Sequence, residues 1–140
     1  MAADTLNIFH AFVEDVAEGV HDLANDQLSV TFSNVQPTTA TDDQLSDITV
    51  IANIANVDTV SVTTSSSTQT SGTYSLILTD LTMTATGALG PFQYVYLYNV
   101  DATNDELIGW LDYGSEVTMS ASETFDLDWP GTATVSIAVT

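Results

Sequence analysis

Apolar residues change their spacing once along this chain, at Gly19. Before it, Leu6, Phe9, Phe12, Val13, Val16 and Val20 recur at intervals of mostly three and four, the stripe of an amphipathic helix. The pattern predicts a helix over residues 5–18, with Asp4 placed to cap it and Gly19 to end it. A helix this short is marginal alone in water, so its stripe is expected to dock on the rest of the domain or on a neighbour.

After Gly19 the period becomes two, and Val, Ile, Thr, Tyr and Phe dominate. Strands are predicted at 20–23, 28–33, 48–55, 59–64, 74–78, 81–86, 93–100, 107–112, 117–120, 124–129 and 132–139. Ala24-Asn25-Asp26-Gln27 reads as the turn of a first hairpin, and Pro37 with the Thr-rich stretch to Asp43 as a loop. Residues 65–72 are small, polar and uncharged, which marks a long surface loop or a frayed strand extension. Gly87, Gly90-Pro91, Asn104-Asp105, Gly114-Ser115 and Pro130-Gly131 supply turns. Short, regularly spaced strands without intervening helices belong to sandwiches and barrels. The expectation is a mainly β chain: one antiparallel β-sandwich domain over 1–140, jelly-roll-like, with residues 1–18 as a short N-terminal amphipathic helix or arm.

Charge narrows the choice of partners. The chain has no Lys or Arg and 19 Asp and Glu, a formal charge of −19. Without fixed cations it cannot neutralise phosphates or release their counterions, so neither nucleic acid nor an anionic membrane is an expected partner. A strong electrostatic partner would have to be basic, or a bound cation. At 44% apolar residues, the chain still has ample material for a core. Like charges unopposed by cations predict stability that rises with ionic strength. The absence of cysteine leaves burial to hold the fold. No stretch reads as a membrane span, and the N-terminus lacks the basic region of a signal peptide; a soluble protein without its own export signal is expected.

Phe92, Tyr94, Tyr96 and Tyr98 alternate along one predicted strand and so are expected to share a face. Such a row fits a protein interface, a core with hydroxyls at its rim, or a sugar-stacking platform. Trp110 with Asp112, and Asp126 with Asp128, place carboxylates at a spacing a glycosidase would use, but no glycosidase signature accompanies them. Asp101-Ala102-Thr103-Asn104-Asp105-Glu106 gathers hard oxygen ligands, and Asp22-Asn25-Asp26 and Asp42-Asp43-Asp47 do so more weakly. None follows the EF-hand pattern, so no cofactor is expected, with Ca2+ at these acidic turns as the alternative. His10 and His21 lack the companions of a zinc site, and no nucleophile motif surrounds any serine. The expectation is a protein that is not an enzyme.

Two stretches carry a resemblance. Phe12-Val13-Glu14-Asp15-Val16-Ala17-Glu18-Gly19-Val20-His21-Asp22-Leu23 followed by Asp26-Gln27-Leu28-Ser29-Val30 resembles the opening of a family of small structural proteins of tailed bacteriophages. Gly90-Pro91-Phe92-Gln93-Tyr94, Tyr96-Leu97-Tyr98-Asn99 and Leu107-Ile108-Gly109-Trp110-Leu111-Asp112-Tyr113-Gly114-Ser115 resemble that family's aromatic, Asp and Gly-Ser segment; residues 47–69 depart from it. The resemblance implies a virion component assembled in the host cytoplasm: a capsid decoration or cement protein on the phage head, bound to the major capsid protein. A tail-associated, host-adhesion or carbohydrate-binding module is the alternative. Self-association is expected, most simply as trimers at threefold positions. The expected contact residues are Phe9 and Phe12 of the helix stripe and Phe92, Tyr94, Tyr96 and Tyr98 of the strand row.

Overall fold

The computed structural model describes residues 6–139, so the predicted cap Asp4 lies outside the described residues. In chain order the elements are β1 (Asn7–Ile8), α1 (Ala11–Ala17), β2 (Leu28–Ser33), β3 (Ser61–Val62), β4 (Thr64–Thr70), β5 (Thr73–Leu78), β6 (Leu81–Thr84), β7 (Leu89–Asn99), β8 (Leu107–Met119), β9 (Thr124–Leu127) and β10 (Val135–Ala138). The chain is mainly β, with one α-helix among the described residues. Its strands pair antiparallel in three sheets, ordered β1-β8-β7-β2-β3, β10-β5-β4 and β6-β9.

The main core draws on all three sheets: Phe32 of β2, Leu76 and Leu78 of β5, Met83 of β6, Phe92, Val95 and Leu97 of β7, Leu111 of β8 and Phe125 of β9. Phe32 stacks on Phe92 at 4.4 Å between ring centres, and Phe125 meets Phe92 edge-on at 5.4 Å, the offset geometries that aromatic quadrupoles favour. Gly109 allows the β1 edge to close against β8. A Cβ there would lie 2.8 Å from the Asn7 carbonyl oxygen and 3.0 Å from Leu6 carbons.

Several local predictions need correction; the turns expected at Gly90-Pro91 and Gly114-Ser115, for instance, lie inside β7 and β8. The helix covers Ala11–Ala17 rather than 5–18, because residues 7–8 pair with β8 and leave the helical path. Phe12 is buried and Val16 packs on the core, whereas Val13 is 70% exposed, so the stripe is the i, i+4 pair alone. Residues 20–23 are not a strand. The Asp22 carbonyl accepts the amides of Asn25 and Asp26, and the Asp26 carboxylate accepts the Asp22 amide, so local turn bonds replace a hairpin ladder.

Nor do residues 48–55 form a strand; Ile54–Asn56 is a 3-10 turn. Ile51, Ile54, Val57 and Val60 recur every third position and pack on the main core, which suits a turning chain that dips one side inward, while Ile48 packs on the opposite aromatic cluster. Of the two readings of residues 65–72, the strand extension holds and the loop does not: most of them form β4, which continues through the Ser71-Gly72 turn into β5. Ser and Thr are poor core residues, but the β-branched threonines accept a pleated, half-exposed strand.

Candidate interface

The five-stranded sheet carries an aromatic layer on each face. Tyr94, Tyr96 and Tyr98 of β7 share one face with Trp110 of β8, together with Phe9, Leu107 and Ile48. Phe92 does not join them; it sits on the main-core face with Val95 and Leu97. The β7–β8 ladder slips between Phe92, opposite Val117, and Tyr94, opposite Asp112, and this bulge turns Phe92 to the other side. The extra residues lie on β8 between Asp112 and Val117, where Gly114 takes a positive φ, so the Gly114-Ser115 signal marks an irregularity inside a strand rather than a turn between strands.

The tyrosine layer is itself covered. Residues 34–49 cross over it: the Tyr96 hydroxyl donates to the Val35 carbonyl at 2.6 Å, and the Trp110 indole N–H donates to Thr39 Oγ1 at 3.1 Å. The Thr39 carbonyl accepts the His10 amide, which binds the same crossing to the start of α1. A cavity of about 150 Å3 remains beneath it, lined by Val35, Pro37, Asp42, Asp47, Ile48 and Tyr96. Burial lifts the Tyr96 hydroxyl well above the ordinary phenol range, so it stays a donor.

These positions correct the expected contact set. Phe9, Phe92 and Tyr96 are 0% exposed and Phe12 is 3% exposed, so they fill the chain's own interior and offer nothing to a partner. Tyr94 and Tyr98 are half-buried and present their edges at the surface. Trp110 and Trp129 are buried as well, with the Trp129 indole donating to the Thr79 carbonyl, so neither supplies the open face that sugar stacking needs.

Carboxylates in the turns are engaged with backbone amides. Asp42 accepts from Thr38, Asp47 from Asp43 and Gln44, Asp101 from Gln27, and Glu106 from Asn104. Asp112 accepts from Gln93 and the Gly114 amide, and Asp126 from the Thr82 hydroxyl. Among the described residues no three His, Asp or Glu side chains converge in a way that would hold a metal ion.

Among the buried polar groups that sequence reasoning did not single out is Asn99, 0% exposed. Its amide N–H2 reaches His21 Nδ1 at 3.1 Å and the Asp26 carboxylate at 2.6 Å, and its carbonyl accepts the Asp101 amide. The bond from Asn99 leaves the proton of neutral His21 on Nε2, 3.8 Å from Asp15. Burial lowers the His21 pKa despite the nearby Glu106 and Asp26. Burial raises that of Asp15, helped by Glu106, Asp43, Glu14 and Glu18. The strand-ending Asn before an acidic turn is the one signal that could have singled out Asn99.

No family model, curated protein or solved structure matches this chain.

Proposed function

We propose that this chain is a virion structural protein, a capsid decoration or cement protein that sits on the outside of a phage head and bridges major capsid protein subunits. The three sheets around one aromatic core are read, at the finer level, as a jelly-roll-like β-sandwich. One observation carries the proposal: the separate segments that resemble the phage family form one unit of the fold. The helix segment packs on β8, and the two downstream segments are the paired strands β7 and β8. A shared structural unit explains why such distant motifs occur together.

The physical role follows from surface and charge. With no cation of its own, the domain adds apolar and hydrogen-bonding area to a shell rather than gripping an anion. Tyr94 and Tyr98, half-buried with rigid rings, are suited to contact at low entropic cost. Exposed Val35, which follows the end of β2 and accepts the Tyr96 hydroxyl, lies on the same face. Each contact is weak, and icosahedral repetition makes the sum large.

Quantitative mass spectrometry of purified particles, with antibody labelling of head and tail, tests the proposal. Copies in the hundreds over the head are expected. A few copies at the tail would favour the adhesion reading, and absence from particles would end the virion proposal.

A further inference from the structure

The three sheets differ in where charge sits. β8 of the five-stranded sheet carries Asp112 and Glu116, and β9 of the two-stranded sheet carries Asp126. The sheet β10-β5-β4 has no charged residue in any strand, and from Thr59 to Thr79 the chain has none at all. Its outer strand β4, Thr64–Thr70, is the longest of the strands that end a sheet among the described residues; the side of β8 that β1 leaves unpaired, 111–119, is longer but carries Asp112 and Glu116. The other outermost strands have two residues in β1 and β3 and four in β6, β9 and β10.

Long edges are usually guarded by charge, proline or a covering segment, because their free amides and carbonyls pair readily with another strand. β4 has neither charge nor proline, and its one irregularity is a bulge at its start, near Ser65. Among the described residues its strand pairing is with β5 alone, the Gln69 side chain also accepting the Gly72 amide of the turn, and Ser65, Thr68, Gln69 and Thr70 are exposed. In a chain of charge −19, leaving the longest outermost strand unguarded is a departure that needs a cause.

We propose that β4 pairs antiparallel with β4 of a second copy of this chain, joining two three-stranded sheets into one six-stranded sheet across a twofold axis. Electrostatics selects this occupant. A basic partner is drawn to the carboxylate-bearing turns, whereas another copy is repelled there and can come close only where neither surface carries charge. The pairing is also self-complementary. A twofold through Ser67 sets Ser66 of each copy opposite Thr68 of the other, with hydroxyls facing hydroxyls on the exposed face. The inference does not depend on the virion proposal, and it replaces the expected threefold clustering with a dimer.

Sedimentation equilibrium of the full chain in about 0.15 M and about 1 M NaCl tests it, because the Debye length falls between them from about 8 to about 3 Å. A dimer is expected whose dissociation constant falls by about tenfold or more at the higher salt, since screening removes repulsion. Thr68→Glu sets like charges across the axis and should leave a folded monomer. Val13→Glu adds the same charge on exposed α1 and should leave the dimer intact. The native chain has no cysteine, so the double variant Ser66→Cys, Thr68→Cys should yield a disulfide-linked dimer on oxidation, as directly opposed strand residues lie within disulfide reach. A monomer at both salts, a trimer, a dimer that survives Thr68→Glu, or failure of the double variant to cross-link overturns the proposal.

Discussion

The two faces of the five-stranded sheet are both rich in aromatic rings, yet they are built differently. On the main-core face Phe32, Phe92 and Phe125 pack ring on ring without polar atoms. On the other face, Tyr96 and Trp110 each keep a polar tip, and each tip is tied to the 34–49 crossing. The first face is held by dispersion and exclusion of water; the second is also held by hydrogen bonds that fix one loop in one place. A tyrosine whose hydroxyl is held by a covering loop, as Tyr96 is, belongs to the fold and not to a docking surface. In the proposed virion role, attachment then falls to the half-buried rings Tyr94 and Tyr98 and to the uncharged sheet.

The sharpest way to break that comparison is to remove a ring from each face. Phe92→Ala should cost about 3–5 kcal/mol in denaturant unfolding, since the cavity it leaves is lined by rings that cannot collapse fully. Tyr96→Phe should cost only about 1 kcal/mol, the net worth of one hydrogen bond, and should speed amide exchange selectively in residues 34–49. A uniform rise in exchange would mean that the crossing is held by something else.

Tyr113 sharpens the contrast from the other side. It lies on the main-core face beside Phe125, and its buried hydroxyl has no partner among the described residues. Burial drives its pKa upward, as does the nearby Asp128. Tyr113→Phe should therefore stabilise the fold by roughly 1 kcal/mol, because an unpaired buried hydroxyl costs more than it returns. A loss of stability would show that this face does use polar tips.

The smallest expected effect concerns Asp15. Its folded pKa is raised, so its ionisation opposes folding above the unfolded value, and the penalty disappears as pH falls through the folded pKa. Asp15→Asn should raise the melting temperature slightly at pH 7, and the gain should shrink on acidification. His21 has the opposite sign of shift. Its pKa is lowered by burial, so stability should be lost as pH falls from the unfolded value near 6.5 toward the folded one. In the Asp15→Asn background that acid loss should persist.

The β class was legible in the period-two runs, and the central strands β2, β5 and β7 lie close to their predicted places, because alternation reports a half-buried strand directly. Less legible were segments in which another interaction outbid the pattern. At 20–26 the Asp and Asn side chains satisfied the backbone locally. At 48–56 a period of three resembled a strand because Thr and Val have high β propensity. β4 was read as loop or extension because a run of Ser and Thr carries no hydrophobic alternation, yet its register is set by β5. The aromatic row was correctly placed on one face from Tyr94 to Tyr98; the bulge beside Phe92 falls where Gly114-Ser115 was read as a turn, whereas the crossing above Tyr96 is a tertiary fact without a local signal.

Retention on purified particles in rising NaCl tests most directly the claim that uncharged surface holds this polyanion in its assembly. The account predicts that the protein stays bound into molar salt, where charge pairing is screened within about 3 Å, and comes off when Tyr94 and Tyr98 are both replaced by alanine. Release by salt alone, with the double alanine variant binding as the native chain does, would contradict it.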